Sequence, residues 1–246
     1  MLEQHDRRKI TKPVNTSVVI TETPFDKRHF CWFCGEPSHV DFIFPPNTII
    51  NSYHEKKYLL LSCPHPTISV PCCGECQKLA GFAEVSNIWA VNAFVKKKLL
   101  KRYAKDLAIG VNWTQQELAN SEFEHGSFSG FAKSAWFIYE VAKGRVNYSG
   151  WPLVADGLEL EAHEVELVAP FYFDGVMYPS IANAIEHYGN IFLLDPHYVS
   201  AVLQHMANGR IDEQSFAQAV RFCRLLVNAT MNERKVAFNG LMAQSD

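Results

Sequence analysis

The strongest constraint in this sequence is a pair of Cys-x2-Cys motifs, Cys31-Trp-Phe-Cys34 and Cys73-Gly-Glu-Cys76, separated by a long intervening segment. Two thiols on each tight turn supply four soft ligands, the number that closes a tetrahedral structural zinc site. Gly35 follows the first pair, where a positive φ lets backbone amides face the sulfurs. The second pair opens a helical pattern, whose positive end favours thiolate over thiol. Cys31, Cys34, Cys73 and Cys76 are therefore the predicted metal ligands, with zinc as the cofactor. Cys63, His65 and Cys72 lie between the pairs, and two readings stay open for them. In one, Cys63 and Cys72 are small buried neighbours of the site and His65 is a polar loop residue; in the other, one of the three replaces a ligand or builds a second site. Cys72 directly precedes Cys73 and does not share the two-residue spacing.

Cysteine usage agrees with this. Of the seven cysteines, six fall between Cys31 and Cys76, and Cys223 stands alone inside a helical pattern. In a reducing compartment that clustering reads as metal binding rather than a disulfide framework. The chain has 246 residues, 48% of them hydrophobic, enough to bury the core of one large domain or of two to three small modules. Lys and Arg number 23 against 26 Asp and Glu, a net charge of -3, so no global electrostatic signature of a nucleic-acid binder exists and any such surface is local. No apolar run of about 18 residues occurs, and the N-terminal MLEQHDRRKI lacks an apolar leader. The expectation is a cytoplasmic, intracellular protein with no membrane partner.

Periodicity predicts an α+β fold in five segments. Residues 1–29 read as a tail with one strand around Ser17 to Thr21. Residues 30–82, with the short apolar runs FIFPP, KYLLLS and TISVP, read as a β-rich metal module. Residues 83–153 read as helical. Ile88, Val91, Val95, Leu99 and Tyr103 recur every three or four positions, predicting one long helix from about Cys73 to Ile109, stopped by Gly110. Thr114 and Glu117 form a capping-box signature, and residues 128–143 a further buried helix. Residues 154–230 begin with an acidic linker, DGLELEAHEVE, then a hairpin turning at Asp174-Gly175. Helices over 180–188, 195–207 and 212–228 follow, with Ser180 and Asp212 as N-caps and Gly189 and Gly209 as stops. Residues 231–246 read as a C-terminal tail.

The segments CWFCGE, HVDFIFPP and VPCCGECQKLAG, taken in order, resemble the treble-clef zinc finger of the HNH endonuclease family. In that family a C-x2-C-G knuckle precedes an Asp-His-hydrophobic-x-Pro segment and a second C-x2-C opening a helix. The resemblance covers residues 30–82. It implies a His general base beside the Asp and a catalytic metal at the phosphate. Here Asp41 is followed by Phe42, which accepts no proton, and Gln77 stands where Asn is usual, so the resemblance implies the scaffold without the chemistry. Were the chain a nuclease, His39, Asp41 and His65 would be its catalytic residues, with His39 on the same strand face as Asp41.

Two surfaces qualify as nucleic-acid contacts. In KKKLLKRYAK, Lys97, Lys101 and Lys105 share one helical stripe with Lys98 and Arg102 adjacent, read either as a solvated face or as a phosphate-contacting stripe. The segment from Asp174 to Val220 is similar to the short DNA-binding repeat that accompanies HNH and intron-type endonucleases. Gly175, Tyr178, Ser180, Ala184, Tyr188, Gly189, Gly209 and Phe216 fit its pattern, while its Arg-Leu pair is here His205-Met206. That resemblance implies a helix-turn-helix arrangement, with Ser180, His197, Ser200, Gln204, His205 and Arg210 available to DNA, and points to phages and mobile elements. The functional expectation is a zinc-stabilised nucleic-acid-binding protein, with DNA as partner and no HNH catalysis. The alternatives are a divergent HNH-type metal-dependent nuclease and a structural subunit with a protein partner.

Overall fold

The computed structural model describes residues 18–45, 65–120, 129–161, 170–207 and 209–243 and is α+β. Strand β1 (Val19–Ile20) pairs parallel with β3 (Ile68–Cys72), which pairs antiparallel with β2 (Val40–Phe44), giving the order β1-β3-β2. The strand expected near Ser17 to Thr21 thus belongs to the module's sheet, and Thr21 Oγ1 donates to the Ser69 carbonyl at 2.8 Å. On β2 the side chains alternate as strand geometry requires, Phe42 and Phe44 buried and Asp41 and Ile43 exposed.

The long helix expected from Cys73 to Ile109 is three helices. Helix α1 (Gly74–Ala80) ends at Gly81, α2 spans Ile88–Arg102, and α3 spans Ala104–Asn112. Asn87 caps α2 by accepting from Ala90 N–H at 2.8 Å, which fixes a fresh helix start that apolar periodicity does not register. Gly110 does not stop α3 but lies inside it, where an added Cβ would stand 2.1 Å from the Tyr139 ring, so glycine is what lets α3 cross α5. Helix α4 (Gln115–Ala119) carries the Thr114–Glu117 capping box, and α5 runs over Ser129–Asn147.

The start of the expected acidic linker is a small hairpin, β4 (Val154–Ala155) with β5 (Leu158–Glu159), turning on Asp156 and Gly157 at φ 51° and 77°. The rest of that linker, residues 162–166, lies outside the described residues. The hairpin β6 (Phe171–Phe173) and β7 (Val176–Tyr178) turns on Asp174 and Gly175, φ 50° and 70°, as a primed turn demands. Helices α6 (Ile181–Phe192), α7 (Pro196–Met206) and α8 (Glu213–Leu225) follow, with Ser180, Asp195 and Asp212 accepting from the first turn. Gly189 lies within α6, which runs on until Leu193 turns left-handed at φ 55°. The expected C-terminal tail instead contains helix α9 (Met231–Met242), opened by a Thr230–Glu233 capping box and buttressed by Arg234, whose guanidinium donates to the carbonyls of Leu226 and Val227. One contiguous apolar core joins the cysteine module, the α2–α5 region and the C-terminal bundle.

Candidate metal centre and basic cleft

Local backbone geometry brings the four cysteines together. In the first knuckle Gly35, at φ 74°, donates its N–H to the Cys31 carbonyl at 2.9 Å, and Trp32 N–H ties the turn to Pro71 of β3. In the second, Cys73 is the N-cap of α1 and its sulfur accepts from Cys76 N–H at 3.4 Å, so two ligands share one helical start. The pairing of β2 with β3 delivers the second knuckle to the first. All four sulfurs lie within 4.8 Å of one another, none of the four residues is more than 7% exposed, and Cys34 Sγ stands 3.8 Å from Cys73 Sγ.

A tetrahedral metal with bonds of about 2.3 Å to sulfur separates its ligands by about 3.8 Å, which the Cys34–Cys73 pair matches, and the whole group lies within 4.8 Å, close enough to hold such an ion. Four thiols this close do not all ionise by themselves. Hydrogen bonds among the sulfurs hold Cys34 and Cys73 below the ordinary thiol range and push Cys31 and Cys76 above it. A cation at the centre removes that conflict. Four protein sulfurs leave no open coordination position, which suits a structural rather than a catalytic metal.

Side chains from the helices surround the thiols. Arg145 of α5, 9% exposed, points one guanidinium nitrogen at Cys34 Sγ (3.5 Å) and at Glu75 Oε2 (2.5 Å), and donates to the Tyr103 hydroxyl. Tyr103 donates in turn to Glu75 Oε2 at 2.9 Å, and Arg102 pairs with Glu75 Oε1 at 2.7 Å. Lys96, 6% exposed, donates to the Arg145 carbonyl at 2.8 Å, and burial lowers it to about 8 against the opposing pull of the Cys34, Cys76 and Cys31 charges. Two buried cations beside four thiols are a charge complement for a tetrathiolate site. Periodicity had run α2 on from the second knuckle as one helix and gave no hint of Arg145. The one legible cue was Glu75, an acid placed inside a Cys-x2-Cys turn.

Cys72 is a different kind of cysteine. It sits in β3 opposite Val40, and burial, with the Cys73 charge next, pushes its thiol up to about 12. It stays protonated and outside the sulfur group. Cys63 lies outside the described residues.

The three nuclease candidates do not converge. His39 is exposed over the second knuckle, 3.2 Å from where a Cβ on Gly74 would stand, and Asp41 is exposed on β2. His65 is buried at 8% exposure, its Nε2 accepting from Ile88 N–H at 3.1 Å and its Nδ1 within 2.8 Å of the Pro66 carbonyl, so it secures the start of α2. Among the described residues His39, Asp41 and His65 form no metal-ligating group. Phe42 faces the core 5.7 Å from the Phe33 ring, on the opposite strand face from Asp41, so even a histidine there would not share Asp41's surface. Gln77, at the family's Asn position, donates to the Asp41 carbonyl at 3.1 Å and ties α1 to β2.

Of the basic residues, Lys97, Lys98, Lys101 and Arg102 are exposed on α2, while Lys105 lies beyond the break at Tyr103, exposed on α3. Arg102 is committed to Glu75. In the bundle, Ser180 is spent on capping α6, Gln204 and Arg210 are exposed, and so is His197. His205 differs from expectation, because α9 covers it: its Nε2 lies 3.4 Å from the Leu241 carbonyl and its ring 6.1 Å from that of Phe238. Tyr178, Tyr188 and Phe216, which fit the repeat pattern, are core aromatics.

Lys97, Lys98 and Lys101 face α6 across a cleft of about 290 Å³ that also involves Asn183, Glu186, His187 and Asn190. No described helix is long and apolar enough to cross a membrane. Comparison of the chain with protein-family models, with curated proteins and with solved structures gave no match.

Proposed function

We propose that the chain is a zinc-stabilised nucleic-acid-binding protein, with DNA as its partner, whose residues 30–82 are a treble-clef finger of the HNH type that retains the scaffold and not the catalysis. The observation that carries the metal is the sulfur spacing of 3.8 Å between the two knuckles, backed by the donor set itself. Knuckle, antiparallel β2–β3 pair and helix α1 follow one another in the order the finger requires. The loss of catalysis rests on Phe42, 4% exposed in the core where the family carries its base. Nucleic-acid binding is supported by Lys97, Lys98 and Lys101, three exposed cations on a rigid helix in a chain of net negative charge. The α6–α7–α8 order suits a helix-turn-helix-like unit, with Gln204 and Arg210 on its exposed side.

The test is metal analysis of freshly purified protein together with a salt titration of DNA binding. Stoichiometric zinc is expected, and Lys97→Ala/Lys101→Ala/Lys105→Ala should weaken binding to every sequence and lower the log–log salt slope by roughly 0.9 per lost contact. Absence of zinc overturns the metal assignment. Unchanged affinity and slope in the lysine variant reduce the stripe to a solvated helical face. A protein-interaction role is the second reading, and Phe131, Phe137 and Ile138, 56%, 67% and 46% exposed along α5, favour it. DNA cleavage in magnesium or manganese that His39→Ala abolishes would overturn the non-catalytic reading.

A further inference from the structure

The lysine stripe is one wall of a cleft. Lys97, Lys98 and Lys101 stand on α2, Leu100 and Ala104 give an apolar floor, and α6 supplies Asn183, Glu186, His187 and Asn190 opposite. On α6 these four positions fall at i, i+3, i+4 and i+7, one face of a helix. The cleft therefore has a cationic side and a side that mixes amide donors, amide acceptors and one carboxylate.

Size and chemistry narrow what fits. A volume of about 290 Å³ is at the lower end for a ligand pocket, room for one nucleotide and not for a base pair. A bare phosphate would find the lysines but would also meet Glu186 as a like charge, and would leave the two carboxamides unused. A nucleotide satisfies both walls. Its phosphate pairs with the lysines, while its base offers exocyclic N–H groups to a carboxylate and mixed edges to Asn side chains. Asn183 Oδ1 already takes the Ser180 hydroxyl at 2.9 Å, so its Nδ2 hydrogens are the donors it presents.

His187 gives an independent sign of a ligand. It is 6% exposed, its ring 5.6 Å from those of Tyr178 and Tyr188, and its Nε2 is buried without a hydrogen-bond partner. Burial lowers it to about 4, so it is neutral at pH 7. A buried ring nitrogen left unsatisfied is unfavourable, and His187 is one of the residues that line the cleft.

The geometry points to a single-nucleotide site: the α2–α6 cleft takes one unstacked nucleotide of a single strand, its phosphate against Lys97 and Lys101, its base edge against Asn183, Glu186 and Asn190, and His187 Nε2 completing a hydrogen bond at the base. This rests on the nucleic-acid reading above and narrows it, because only an unpaired base presents its pairing edge to so small a cleft.

The experiment measures fluorescence anisotropy of labelled single-stranded and duplex DNA of the same sequence, with competition by an equimolar mixture of the four deoxynucleoside monophosphates or by inorganic phosphate. Wild type should prefer the single strand about tenfold. Glu186→Ala/Asn190→Ala, at two exposed positions, should erase that preference with the salt slope unchanged, whereas Lys97→Ala/Lys101→Ala weakens both ligands and lowers the slope. The nucleotide mixture should compete and should shift the His187 ring-nitrogen resonance of the wild-type protein, a readout independent of any variant. Equal binding of single strand and duplex, or competition by phosphate as strong as by nucleotides, overturns the cleft and leaves the DNA-binding reading standing. Binding of neither DNA form overturns both.

Discussion

In residues 31–80 four buried cysteines, two paired strands and a helix of seven residues carry the organisation, whereas in residues 171–242 a hairpin and four helices close around aromatic rings. Phe216 sits at the centre of that second region, its ring 5.1 Å from Phe171, 4.8 Å from Phe173 and 5.4 Å from Tyr188, and the Tyr188 hydroxyl donates to Asp174 at 2.5 Å. In the proposed reading the first region adds one ionic point to its share of the core, and the second relies on packing alone. Under the proposed reading the first region needs the metal as well as its share of the common core, because two short strands and a seven-residue helix order few residues by themselves. A four-helix region with fully buried Tyr178, Tyr188 and Phe216 does not.

The largest expected effect breaks the first region alone. Cys34→Ala or Cys76→Ala removes one of four ligands, and structural zinc contributes on the order of 10 kcal/mol to modules of this type. Zinc content should fall to zero and proteolysis should begin at residues 18–80, with chelator reproducing the result in wild type. Phe216→Ala should instead lower stability by about 3–5 kcal/mol while the purified folded protein keeps its full complement of zinc. If chelation lowers the thermal midpoint of both proteins by nothing, the contrast between the regions is lost.

The sequence shows these regions unequally for a physical reason. A four-sulfur group draws on cysteines at fixed short spacings, so Cys31, Cys34, Cys73 and Cys76 were legible together, as were the hairpin at Asp174-Gly175 and the caps at Thr114, Ser180 and Asp212. Side chains that meet only through tertiary structure leave no such trace. Arg145 reaches Cys34 across 111 positions of chain, and the α2–α6 cleft joins two helices that sequence treats as separate surfaces. Lys96 was hidden inside a lysine run whose neighbours Lys97 and Lys98 are exposed. The break between α1 and α2 followed from one Asn87 cap that an apolar repeat overrides on paper.

A smaller effect sharpens the contrast through pH. His187 has its folded value lowered to about 4 by burial, below the ordinary 6.5. The unfolded chain therefore binds the extra proton first, and the stability from the neutral ring is fully present above pH 6.5 and is lost as pH falls toward 4. The shift corresponds to about 3 kcal/mol. His187→Gln should flatten this part of the stability profile between pH 6.5 and 4 relative to wild type, read as the difference between the two proteins so that acid release of the metal cancels. Parallel profiles would mean that His187 titrates normally in the folded state.

The smallest expected effect concerns α9, the one helix of the bundle with no buried residue. Only half-buried Phe238 and Leu241 pack it against the core, so its capping box and a few polar ties carry much of its definition. Thr230 Oγ1 accepts from Glu233 N–H at 3.4 Å and Glu233 Oε2 accepts from Thr230 N–H at 2.7 Å, while the Tyr198 hydroxyl donates to the Arg234 carbonyl at 3.0 Å. Thr230→Ala removes the cap at a cost of about 1 kcal/mol, roughly a fivefold change in a local opening equilibrium. Amide exchange should accelerate about that much over residues 231–236 and nowhere in α8, with the global melting curve unmoved. Because α9 also covers His205, the same variant should loosen the face of α7 that carries His205. Exchange unchanged in α9 would mean that the ties to Tyr198 and His205, rather than the cap, set its stability.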